Sequence, residues 1–177
     1  MAATGWLSEP LEVAVTEPVE GVDADVTRCE MTWIVMPSQA NALGTVFGGQ
    51  VMAWIDVCAA VSAQRLARAD VVTVAMDELT FAAPIQQGEI VVLQSMVNWV
   101  GRTSMEVGVR VESEDPKTGA RVHTSTAYLT FVAVAADKRR LTLPRLLCKT
   151  DLHRRRWADA EARRARRLAG RVGRGTL

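Results

Sequence analysis

Residues 50–69 constrain this chain more than any other stretch. They read Q-V-M-A-W-I-D-V-C-A-A-V-S-A-Q-R-L-A-R-A, apolar on all sides through the first four turns. Polar residues return only at Gln64, Arg65 and Arg68. A helix that is apolar all round belongs in an interior. The 177 residues offer no second long apolar helix to pack beside it, so a sheet is the natural wrapper. Asp56 lies alone inside this run, between Ile55 and Val57. A carboxylate among apolar neighbours is costly unless it has a partner or a task.

The wrapper is legible in four strand-like runs. They cover 71–81, stopped by Pro84; 89–100, stopped by Gly101; 103–114; and 121–133. Val107, Val109 and Val111 alternate with Glu106, Arg110 and Glu112, the period of a strand covered on one face. Residues 27–36 form a further strand that ends at Pro37, which cannot donate into a ladder. Gly101-Arg102 and the D-P-K-T-G run at 115–119 are hairpin connections. A strand, a buried helix and a series of antiparallel strands make an α+β domain over 27–134. Residues 1–26 are expected as an extended or partly disordered leader, with a docking strand at Leu11, Val13 and Val15. Residues 135–177 are expected as a linker and a basic helix over about 149–169, its Arg runs forming a solvated face.

Chemistry concentrates where the loop from Pro37 enters the apolar helix. Gly48 and Gly49 carry no Cβ there, so a carbonyl can approach closely. A helix start also presents unpaired N–H groups that suit a developing oxyanion. Asp56 follows Gly49 by seven residues, two turns along the same side. It is the candidate for activating water or for attacking a carbonyl directly, and the sequence leaves both open. Asn41 offers an amide donor and acceptor, or serves as a turn residue bonding its own backbone.

Several linked motifs carry a resemblance over roughly 27–134. The run A-N-A-L-G-T-V-F-G-G-Q-V-M, then I-D-V-C-A-A, M-D-E-L-T-F-A-A-P-I-Q-Q-G-E, V-G-R-T-S-M-E-V and T-G-A-R-V-H-T resembles the hotdog-fold acyl-CoA thioesterases, in particular the bacterial acyl-CoA hydrolase branch. The resemblance implies a long central helix wrapped by a curved antiparallel sheet. It implies catalysis by Asp56 with Asn41 from the opposite subunit of a dimer, the Gly49 N–H as oxyanion donor, and Gly48 and Phe47 at the acyl tunnel. Many relatives have His where Phe47 stands, so this chain is similar to the Phe-Gly-Gly subset. Arg102, Thr103 and Ser104 then contact the CoA phosphates; without the resemblance they read equally as a polar hairpin tip. Lys117, Arg139 and Arg140 are weaker phosphate candidates, and Asp77 is a structural residue near the dimer seam. The implied partners are acyl-CoA and the chain itself, as a homodimer and a trimer of dimers. No cofactor is implied, coenzyme A being part of the substrate.

Other chemistries find little support. No G-x-S-x-G elbow is present, and the two histidines, His123 and His153, read as packed or surface residues. Metal ligands are scattered along the chain. Three widely spaced cysteines suggest neither a disulfide framework nor a zinc site, which points to the cytoplasm. No run of about 20 apolar residues spans a membrane, and no signal-peptide pattern opens the chain. Residues 149–174 hold ten of the 21 Lys and Arg against three acids, a local +7 against −6 for 1–148. That tail motivates an alternative: a non-catalytic acyl-CoA sensor whose basic helix contacts a partner, with nucleic acid an unlikely one.

Overall fold

The computed structural model describes residues 21–77 and 79–172, with side chains as far as residue 169. The proposed docking strand at Leu11, Val13 and Val15 lies outside the described residues. The chain runs β1 (Val22–Asp23), a 3-10 turn (Ala24–Thr27), β2 (Cys29–Ile34) and a second 3-10 turn (Pro37–Gln39) into α1 (Gly48–Ala67). Then come β3 (Asp70–Met76), β4 (Thr80–Phe81), β5 (Ile90–Val100), β6 (Ser104–Glu114), β7 (Arg121–Val134), β8 (Leu146–Leu147) and α2 (Asp151–Val172). The main sheet is antiparallel in the order β2-β5-β6-β7-β3, with β4 also paired to β7. It curls round α1, as the α+β reading expects. Among the described residues, no helix is long and apolar enough to cross a membrane.

The buried face of α1 is Val51, Trp54, Ile55, Cys58, Ala59, Ser62, Ala63 and Leu66, alternating steps of three and one that trace a single stripe. It packs mainly on β5, then on β3 and β6. A small polar knot fixes the register of helix on sheet. The Cys58 thiol donates to Ser95 Oγ at 3.2 Å, Ser62 and Ser95 share a 2.7 Å bond, and Ser95 Oγ donates to the Cys58 carbonyl at 2.8 Å. All three groups are buried, so a lost partner would strand a polar atom in the core. Arg68, in the left-handed region at φ 52°, closes the helix by donating its N–H to Gln64 O at 2.8 Å.

Four expectations need correction. The helix is not enclosed on all sides within one chain. Met52 is 44% exposed and Val57 50%, because one curled sheet covers one side of a cylinder. The strand expected over 71–81 is interrupted: β3 ends at Met76 and β4 resumes at Thr80, with a register shift between Thr73 and Ala75. The leader does not extend to residue 26, since Val22–Asp23 pairs in parallel with Leu146–Leu147 and the turn after it buries Ala24 and Thr27. Thr27 Oγ1 accepts from Val97 N at 3.1 Å, which pins that turn to β5.

The fourth correction, to part of the expected solvated face, concerns α2: Arg154, Arg155, Arg164 and Arg166 are exposed as expected, whereas Arg156, Arg163 and Arg167 turn inward. Its sheet-facing side is His153, Arg156, Trp157, Ala160, Arg163 and Arg167, whereas Leu152, Ala158, Ala162, Ala165 and Leu168 face outward. The reason is tertiary. Arg163 donates to Glu106, which is only 1% exposed, with the shortest bond at 2.7 Å from Nη2 to Oε1, and lies 3.5 Å above the Tyr128 ring. Long arginine stems supply apolar contact while their heads meet fixed partners, so this helix docks by its cations.

Candidate active site

The site is built where the 37–47 loop meets α1. Val46 N donates to Ile85 O and Phe47 N to Gln39 O, so the loop is stitched to the segment after β4 and to itself. Phe47 is the N-cap of α1 and its carbonyl takes the N–H groups of Gln50 and Val51. The Gly48 and Gly49 amides, first in the helix, are left without an acceptor among the described residues. A Cβ on Gly49 would lie 2.4 Å from Cε1 of Phe47, whose exposed ring would have to swing aside. A Cβ on Gly48 would stand 3.6 Å from the Phe81 ring, ordinary contact distance. Thr45, Val46, Gly48, Val51, Phe81 and Pro84 contribute to a cavity of about 310 Å3 at this helix end.

Asp56 lies seven residues beyond Gly49, roughly 10 Å along the axis and on the same face. That face flanks the buried stripe of α1 beside the outer strand β3, and Asp56 is half-buried on it. Its Oδ1 accepts a 2.6 Å bond from Thr73 Oγ1 on β3. Sequence reasoning missed Thr73, which sits in a strand with no motif; only the fold places it opposite the acid. Asn41 is exposed and its amide is used locally. Oδ1 accepts from Leu43 N at 2.8 Å and Thr45 N at 3.3 Å, and Nδ2 donates to Thr45 Oγ1 at 2.9 Å. Within one protomer no hydrogen bond joins Asn41 to Asp56 among the described residues. Leu43, Phe47, Met52, Val57 and Phe81 surround these groups as exposed apolar side chains.

Arg102, Thr103 and Ser104 form the β5–β6 hairpin, where Gly101 N donates to Ser104 O and Leu143 N to Arg102 O. Ser104 pairs with Val132 and Phe81 with Ser125, so the hairpin stands seven residues, roughly 23 Å, along β7 from the Gly48 end of the site. One protomer therefore does not bring the two together. Lys117 lies in the β6–β7 turn, Arg139 pairs with Asp137, and His123 is exposed on β7. His153 is buried. Contrary to the scattered ligands read from the sequence, Asp23, Asp25 and His153 converge with ligand atoms within 4.8 Å of one another. Lys149 and Arg28 already neutralise the two carboxylates, so the donor set favours ion pairs over a metal. A larger cavity, about 430 Å3, lies between the sheet and α2; there Arg28, Arg110 and Arg163 are paired to Asp25, Glu112 and Glu106.

A curled antiparallel sheet wrapped on one long helix is the hotdog architecture. Residues 43–120 match the model of the Thioesterase superfamily. The uncharacterized acyl-CoA thioester hydrolase YkhA of Bacillus subtilis is 42% identical over 117 residues, 66% of this chain and 68% of that one. The solved apo-hexameric acyl-CoA thioesterase is 36% identical with a TM-score of 0.82, covering 85% of this chain and 97% of that chain. The acyl-CoA hydrolase of Staphylococcus aureus, solved with butyryl coenzyme A, coenzyme A and coenzyme A disulfide, is 32% identical with a TM-score of 0.80 over 86% and 93%. Alanine variants of that enzyme have been solved at an asparagine, an aspartate and a threonine, separated by 15 and then 17 residues. Asn41, Asp56 and Thr73 are separated by the same 15 and 17. The chain belongs to the thioesterase superfamily, as a hotdog-fold acyl-CoA thioester hydrolase.

Proposed function

We propose that the protein hydrolyses fatty acyl-CoA in the cytoplasm, with Asp56 as general base and Asn41 supplied by a second subunit. The observation that carries this is the placement of Asp56. It sits on the open face of α1, in line with Gly49, with one oxygen held by Thr73 and the other unbonded among the described residues. Asp56 takes a proton from water as that water attacks the thioester carbonyl carbon. The Gly49 N–H stabilises the oxyanion, the C–S bond breaks, and the proton passes to the departing CoA sulfur. The products are the free acid and CoA, and the sequence of steps asks for no metal or redox group.

The exposed apolar rim at Leu43, Phe47, Met52, Val57 and Phe81 supports a second copy across this face. That copy would bring its Asn41 to Asp56, and a hexamer like that of the solved thioesterase would bring Arg102, Thr103 and Ser104 of a neighbour towards the CoA phosphates. Arg163 and Arg167 of α2 are committed to Glu106 and Asp77, which leaves Arg154, Arg155, Arg164 and Arg166 as exposed cations on the basic helix.

The test is thiol release from short, medium and long acyl-CoAs, wild type beside Asp56→Asn. Release should collapse in the variant; activity within a few-fold of wild type would sink the assignment. A single turnover in 18O water separates base from nucleophile, because only a nucleophilic Asp56 would acquire the label in its carboxylate.

A further inference from the structure

Arg167, near the end of α2, donates from Nη1 to both carboxylate oxygens of Asp77, each at 2.9 Å. Asp77 occupies the joint between β3 and β4, and its own N–H donates to Tyr128 O at 2.9 Å. One turn earlier on α2, Arg163 lies over the Tyr128 ring. Two neighbouring arginines thus hold two residues that are bonded to each other, and both partners of the Arg167–Asp77 pair are about four-fifths buried. Four residues before Asp77 is Thr73, bonded to Asp56; four residues after it is Phe81, against Gly48.

The two sides of the joint are not equally secure. β3 is held to β7 by six ladder partners; β4 has two, Thr80↔Thr126 and Phe81↔Ser125, supplemented by the Ala82 N–H to Thr124 O and by Ser125 Oγ to Thr80 O. β4 contributes Phe81 to the wall of the cavity at the helix start, and it has the shorter ladder of the two. We infer that Arg167 is a positioning residue for the acyl pocket: by holding Asp77 it fixes β4, and with it the Phe81 wall beside Gly48. The inference rests on the proposal that this cavity receives the acyl end of the thioester. The expected signature is selective, because Asp56 and Thr73 stand on the secure side of the joint.

The experiment compares wild type, Arg167→Met, Asp77→Asn, the double variant and Arg167→Lys as full-length chains. Two readouts are taken: steady-state thiol release over a panel of acyl chain lengths, and amide hydrogen exchange over residues 79–85. Arg167→Met should raise KM about five-fold or more, keep kcat within about two-fold, and flatten the preference between chain lengths. Exchange over 79–85 should quicken while 70–76 is unchanged. The double variant should be no worse than either single one, and Arg167→Lys should recover most of the KM. Wild-type KM, chain-length profile and exchange in Arg167→Met would overturn the inference, as would a fall in melting temperature alone. If wild type released no thiol, the hydrolase reading would fall by itself; faster exchange over 79–85 would still uphold the brace, and unchanged exchange would sink it.

Discussion

Thr73 Oγ1 donates to Asp56 Oδ1 across 2.6 Å, tying the acid of the long helix to an outer strand of the sheet. The bond fixes which oxygen is occupied and, in the proposed mechanism, leaves the other one for the reacting water. A hydrogen bond to a charged group contributes about 1.5–3 kcal/mol. Thr73→Val keeps the shape and removes the donor, so kcat/KM should fall about tenfold or more, chiefly in kcat. Thr73→Ser should restore most of it. A Val variant within two-fold of wild type would show that Asp56 needs no such partner.

Glu106 and Arg163 form the most buried ion pair among those described, with side chains 2% and 14% exposed. Removing one member of a buried pair leaves the other charge without compensation, at a cost of about 3–5 kcal/mol. Arg163→Met strands the Glu106 carboxylate, and the melting temperature should drop by roughly 10 °C. Glu106→Gln should cost less, because the longer Arg163 can turn its head towards water. Calorimetry on both variants, with exposed Arg166→Met as the control, measures the difference. Equal and small effects would mean that the pair adds nothing to stability.

Burial pushes the Cys58 thiol up to about 12, against the opposing effect of its hydrogen bond with Ser95. Cys148, half-buried, is also raised by burial, and Cys29 is buried. Thiolate is the reactive form, so alkylation at pH 8 should label Cys148 slowly and leave Cys58 and Cys29 untouched in the folded protein. Peptide mass spectrometry before and after denaturation reads this directly. Early labelling of Cys58 would mean that α1 lifts from β5 readily.

The Lys149 ammonium bonded to Asp23 holds its carboxyl below the usual range, and the Arg28 guanidinium does the same for Asp25. A depressed folded pKa gives stability that is complete above the unfolded value and is lost as pH falls through the folded one. The β1–α2 junction should therefore loosen below pH about 4. Melting curves between pH 7 and pH 3 should slope less steeply for Asp23→Asn than for wild type. Identical slopes would place the acid sensitivity elsewhere.

Much of this fold was legible because periodicity and punctuation agreed. The long apolar run gave α1 within two residues at each end, and alternation gave β5, β6 and β7 almost to the residue. What escaped depends on partners far apart in sequence. Arg163 and Arg167 find Glu106 and Tyr128 on two strands and Asp77 at a strand joint, so part of an Arg-rich pattern that reads as solvated turns inward. The exposed side of α1 escaped for a related reason: apolar residues on every face do not say which of those faces one sheet can cover. Asp56 announced itself by being out of place, whereas Thr73 is an ordinary residue for a strand and gave no sign.

The brace between Arg167 and Asp77 also joins two points made at very different times. A ribosome adds residues in order at about 5–20 per second, so the sheet through β7 is complete in sequence well before Arg167 is polymerised. During that interval β4 has only its short ladder to β7, and the outer face of β6 carries Glu106 without its counter-ion. The nascent domain thus passes through a stage with its helix wrapped but its pocket wall unfastened. A ribosome stalled once β7 has left the exit tunnel, with α2 still inside it, would hold a chain of that kind, and a protease would find its easiest cut between β3 and β5.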